Sequence, residues 1–98
     1  MPTQRRLLCE DREQKDFWFL GYRMLLTPTE FRILQYIVQM EGSAVRAREI
    51  CSHCYEGGAD AANVSVRISS INQKAQRIGG RRLLHHARGR GYVFCEDL

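Results

Sequence analysis

The rhythm of apolar and polar positions changes twice along this 98-residue chain. From Arg6 to Thr27 the pattern is strand-like: "RLLCE", a polar break "DREQKD", then "FWFLGYRMLLT" with Gly21 marking a turn. Short β-rich runs with tight breaks predict an antiparallel sheet over about residues 6–26. At Thr27 the period lengthens. "TPTE" supplies an N-cap threonine, a proline at the first helical position and a glutamate three residues after the cap. That is a capping box, in which two side chains satisfy backbone N–H groups that a helix start leaves orphaned.

Phe31, Leu34, Ile37 and Val38 then recur at helical spacing, and Gly42 is placed to end the helix, predicted over about 28–41. "RAREICSHCY" predicts a second helix over about 46–55, with Ile50, Cys51 and Cys54 on one side and Gly57 and Gly58 ending it. A third helix, about 61–78, has Asp60 as its expected cap. Its stripe is Val64, Ile68, Ile71, Ala75 and Ile78, at spacings of 4, 3, 4 and 3. Gly79 and Gly80 close it. In "HHARGRGYVF" glycines separate two apolar runs, the mark of a β-hairpin over about 82–95 with arginines at its tip. The expected class is α+β, a winged helix-turn-helix in a single domain, 1–98.

Charge sharpens this picture. Between Asp60 and Glu96 no acidic residue occurs, while Arg67, Lys74, Arg77, Arg81, Arg82, Arg88 and Arg90 contribute seven positive charges. Residues 1–60 hold eight basic and nine acidic side chains, a balance of −1. An acid-free third of a small domain attracts a polyanion, and nucleic acid is the common one. A helix fits the major groove of duplex DNA, and a hairpin reaches the adjacent backbone or minor groove. Base contacts are expected from Asn63, Val66, Arg67, Ser70 and Gln73. Phosphate contacts are expected from Tyr55, Ser69, Lys74, Arg77 and Arg90. Two copies on half-sites about one helical turn apart, as a homodimer on DNA, is the arrangement such a unit favours.

Three segments carry a resemblance to the winged-helix effector domain of bacterial OmpR/PhoB-type response regulators. "LTPTEFRILQYI" resembles that family's first helix, and "REICSHCY" its second, with Tyr55 where tryptophan is usual. "VSVRISSINQK" is similar to its recognition helix and "ARGRGYVF" to its wing. The resemblance implies a four-stranded N-terminal sheet, three helices and a C-terminal hairpin, with helix three in the major groove and Arg88 in the minor groove. It also implies that the loop "EGGAD" meets RNA polymerase, through Glu56 and Asp60. Ser65, Ser69, Ser70 and Asn72 depart from the family's acid and arginines, so no relative's operator carries over. Arg46 and Ala47 stand where Ser-Arg often begins the second helix. Only about 25 residues precede Thr27, so a receiver domain is expected to lie outside this chain, whether excised or naturally absent.

Other chemistries have weaker support. Cys51-x-x-Cys54 with His53, His85, His86 and Cys95 lacks zinc-finger spacing and a second CxxC, so no metal or other cofactor is expected. Free thiols are the expectation for all four cysteines. No Ser/His/Asp set, paired acids or phosphate-binding glycine loop points to an enzyme. No apolar run approaches the roughly 18 residues of a membrane span, so a cytoplasmic protein with no membrane partner is expected. The competing reading is a winged-helix protein-interaction or dimerisation module, since fold alone does not fix function. Phe17, Trp18 and Phe19 are adjacent, so at least one must face away from the others' side of the sheet.

Overall fold

Alternation along the first strands sorts the three adjacent aromatics. In the computed structural model, which describes residues 7–54 and 61–95, β1 (Leu8–Asp11), β2 (Asp16–Phe19) and β3 (Tyr22–Arg23) form an antiparallel meander. Leu8 pairs with Phe19 and Trp18 with Arg23. Successive side chains on a strand point to opposite faces, so Phe17 and Phe19 enter the core while Trp18 stays exposed. The Trp18 indole N–H donates to Asp11 Oδ2 at 3.1 Å.

The meander has three strands among the described residues, where the family resemblance implies four. Asp16 anchors the chain as it leaves the meander. Its buried carboxylate accepts the backbone N–H groups of Phe17, Leu25 and Leu26 and the Arg23 guanidinium. Between those bonds the chain turns at Leu25, which has φ +62.

Helix α1 (Pro28–Gln39) begins as its sequence predicts, with both halves of the capping box formed: Glu30 N–H donates to Thr27 Oγ1 and Thr27 N–H to Glu30 Oε1. It ends at Gln39 with Met40 as its C-cap, two residues short of the expected 41, because Glu41 already turns left-handed at φ +49 before Gly42. Helices α2 (Ala47–Cys54) and α3 (Ala61–Gly79) follow. The start of α2 keeps half a capping box, Arg46 N–H donating to Glu49 Oε1 at 2.9 Å, although arginine offers no capping oxygen of its own. Tyr55, Glu56, Gly57, Gly58 and Asp60, with the helix ending and helix cap expected of them, lie outside the described residues.

The core lies where the sheet, the three helices and the C-terminal hairpin meet. Phe17 and Phe19 pack with Phe31, Ile33, Leu34 and Ile37 of α1, Ile50 and Cys54 of α2, and Val64, Ile68, Ile71 and Ala75 of α3. Ile78, the last residue of the predicted α3 stripe, is half-buried. Strands β4 (Leu84–Ala87) and β5 (Gly91–Phe94) form the hairpin, with Leu84 opposite Phe94 and Ala87 opposite Gly91. Asn72 ties this hairpin to α3: its buried amide oxygen accepts the N–H groups of Leu83 and Leu84, and its NH2 donates to the Leu84 carbonyl at 2.8 Å. Val45 docks against the other strand, exchanging both backbone hydrogen bonds with Tyr92 at 2.7 Å.

Candidate nucleic-acid interface

Helix α3 presents two chemically distinct faces. Val64, Ile68, Ile71 and Ala75 are buried, and Asn63, Ser65, Val66, Arg67, Ser69, Gln73, Gln76 and Arg77 are exposed. Val66, Gln73 and Arg77, separated by seven and four residues, align along the helix. Val66 is 62% exposed, an apolar side chain held out beside polar and cationic ones.

Two of the side chains expected on this face turn elsewhere. Ser70 Oγ donates to Glu30 Oε2, and Lys74 Nζ donates to Glu30 Oε1 at 2.5 Å and to the Leu25 carbonyl at 3.0 Å. A base contact was expected of Ser70 and a phosphate contact of Lys74; here both side chains are engaged by α1 and the segment before it. A buried carboxylate requires partners, and residues 70 and 74 lie one turn apart on the flank of α3 nearest α1, so Glu30 takes both. Burial pushes the Glu30 carboxyl up, but the Lys74 ammonium, the Ser70 hydroxyl and the Thr27 N–H together hold it below its ordinary value.

The hairpin carries the other cations. Arg90 N–H donates to the Ala87 carbonyl at 2.8 Å, closing a turn with Arg88 and Gly89 at its centre. Gly89 supplies the positive φ, +75, that the third position of a type II turn needs. Arg88 and Arg90 are exposed. Gly91 serves a different purpose. At φ +121 it lies so close to Val45 that a Cβ there would strike the Val45 carbonyl and approach Arg46 Cα to 2.9 Å. Its lack of a side chain lets the wing sit against the segment that opens α2.

Between that segment and the wing runs an open groove of about 560 Å3, lined by Arg46, Arg48 and Glu49 on one wall and His86, Arg90 and Tyr92 on the other. Sequence reasoning missed Arg46 and Arg48 as candidates. Their signal was present in "VRAREI", two arginines at a helix start, but only the docking of Val45 on Tyr92 sets them opposite Arg90. Tyr92 and Phe94 of β5 are half-buried against the core.

The sequence model of the family described as "Transcriptional regulatory protein, C terminal" matches residues 21–94. The chain belongs to this family. The fold of the transcriptional-regulator domain is that of OmpR/PhoB-type effector domains, as similar solved structures show. The AdeR DNA-binding domain, crystallised with an intercistronic region, superposes with a TM-score of 0.85 at 20% identity, over 97% of this chain and 100% of that one. The DNA-binding domain of CpxR from E. coli gives a TM-score of 0.75 at 25% identity, over 96% of each chain. DrrB from Thermotoga maritima, an OmpR/PhoB homologue, gives 0.78 at 22% identity; the match covers 94% of this chain and 43% of DrrB. No curated protein matches the chain.

The remaining chemistry of this regulator domain is structural. The Cys54 thiol donates to the Arg32 carbonyl, and burial pushes its pKa up to about 11, so it has little thiolate character at neutral pH. Among the described residues, no three His, Cys, Asp or Glu side chains are grouped to hold a metal. No helix among them is long and apolar enough to cross a membrane.

Proposed function

We propose that the chain is the DNA-reading part of a bacterial transcription regulator, cytoplasmic in location and sequence-specific for duplex DNA. Helix α3 occupies the major groove and the wing arginine Arg88 enters the minor groove. The observation that carries this reading is the division of α3: a packed apolar face, and opposite it an exposed, acid-free face of Val66, Arg67, Ser69, Gln73 and Arg77. Arginine and glutamine offer the paired donors and acceptors that base edges require, and Val66 suits a thymine methyl.

In this reading Asn63, Val66, Arg67, Gln73 and Arg88 contact bases. Ser69, Arg77, Arg90 and Tyr55 contact phosphates, with Glu56 and Asp60 toward RNA polymerase; Ser70 and Lys74 position α3 through Glu30 and do not touch DNA. The DNA-binding domains of AdeR, crystallised with an intercistronic region, and of RstA from Klebsiella pneumoniae, crystallised with the RstA box, share this fold, which adds support. Two copies on adjacent half-sites complete the assembly.

Selection of bound duplexes from a random-sequence pool, followed by a salt titration of the winner, tests the proposal. Enrichment of a repeated motif is expected, with log affinity falling about 0.9 per phosphate contact against log salt. Equal, salt-sensitive binding to every duplex would remove sequence specificity, and no binding would remove the proposal. The exposed Trp18 and Tyr22 favour the protein-interaction alternative, which the last outcome would promote.

A further inference from the structure

The groove between the α2 start and the wing holds a titratable group that the reading above does not use. His85 and His86 are consecutive on β4 and so point to opposite faces. His86 is the one that lines the groove, its ring 5.0 Å from that of Tyr92, its cross-strand partner. From α2 and the residue before it, Arg46, Arg48 and Glu49 face the same space; from the turn, Arg90; from β5, Tyr92. Glu49 is the acid in this lining, and one of its oxygens accepts the Arg46 backbone N–H. Among the described residues, none of the three guanidiniums has an ion-pair partner. The groove therefore carries three fixed positive charges against one negative.

Guanidinium stays charged at any physiological pH, and tyrosine stays neutral; imidazole changes charge between about pH 5 and 8. An anion seated among these arginines favours the imidazolium, by direct attraction and by the charge-assisted N–H···O bond that a second ring proton offers. We propose that His86 takes up a proton when a DNA phosphodiester enters this groove, so that the domain's affinity for DNA rises as pH falls. This rests on the DNA-binding function proposed above and adds a proton to it. The step is one proton taken from solvent by the imidazole, and no covalent bond to DNA forms. The other described histidines lie apart from the groove: His53 stacks on Tyr36 between α2 and α1, and His85 faces the far side of the hairpin.

The test is fluorescence anisotropy of the full chain with the duplex enriched by the selection, at constant salt, from about pH 6 to about pH 8. Since one unit of pKa shift equals tenfold in affinity, binding is expected to be roughly tenfold tighter at the acid end. His86→Gln keeps a polar side chain without a titrating proton, and it should flatten the dependence; His85→Gln should leave it unchanged. NMR titration of the His86 ring protons in wild type, free and DNA-bound, checks the same point without a variant and should show an upward shift on binding. A pH dependence that survives in His86→Gln, or a ring titration unmoved by DNA, overturns the proposal while leaving DNA binding intact. Failure to enrich or bind any duplex overturns the DNA-binding function itself, and the proton uptake with it.

Discussion

Lys74 Nζ lies 2.5 Å from Glu30 Oε1, joining α3 to the capping box of α1. The two partners are unequally placed: the Glu30 side chain is 1% exposed and that of Lys74 is 23% exposed. Lysine can return its ammonium to water when the pair is broken, and the carboxylate cannot. Lys74→Met should therefore cost about 3 kcal/mol of stability and Glu30→Gln about 1 to 2 kcal/mol. Urea denaturation of both variants measures the difference, and the reverse order would refute the account of which charge is trapped.

The same pair predicts a pH dependence. The folded-state pKa of Glu30 is lowered, so between its folded and unfolded values the unfolded chain binds the extra proton. Its contribution is fully present above the unfolded value of about 4.3 and is lost as pH falls through the lower folded value. Glu30→Gln should flatten the acid limb of a stability–pH profile below about pH 4.5 and leave its slope at neutral pH unchanged.

Gly89 and Gly91 both have positive φ, but only Gly91 is hemmed in by backbone. Gly89→Ala should cost about 1 kcal/mol, the conformational penalty alone. Gly91→Ala adds a collision with Val45 and should cost several times more or detach the wing. Loss of amide protection at Val45 and Tyr92 in hydrogen exchange would report that detachment.

Removing Asn72 strands two buried N–H groups, those of Leu83 and Leu84. An unsatisfied buried donor costs about 1 to 3 kcal/mol, so with two of them Asn72→Ala should lower stability by about 2 to 6 kcal/mol. Thermal denaturation measures it. A near-neutral result would mean that water reaches the two N–H groups.

Arg67→Ala and Arg88→Ala should each weaken binding to the selected duplex by about 1 to 3 kcal/mol and relax preference at the base contacted. Arg77→Ala should weaken binding across sequences and reduce the salt slope by about 1. Ser70→Ala should change stability and leave the salt slope alone, because its hydroxyl is bound to Glu30. Equilibrium titrations at several salt concentrations separate these outcomes.

The sequence by itself determined the elements whose causes are local. The Thr27–Glu30 capping box, the α3 stripe from Val64 to Ala75 and the glycine-marked hairpin depend on neighbours within a few residues, and each formed where its pattern lay. The acid-free stretch after Asp60 likewise concentrated positive charge in α3 and the wing. Tertiary structure decided what depends on residues far apart in the chain. Ser70 and Lys74 carry the same helical spacing as their exposed neighbours, and only the arrival of Glu30, 40 and 44 residues away, turns them inward. Asn72, a departure from the family pattern in sequence, became a staple because Leu83 and Leu84 came to rest beside it with two unpaired N–H groups. Arg46, Arg48 and His86 became one groove because Gly91 let the wing close onto Val45. Periodicity reports which face of an element is apolar; it carries no record of which polar group another segment will bring to the opposite face, and that pairing is set by packing.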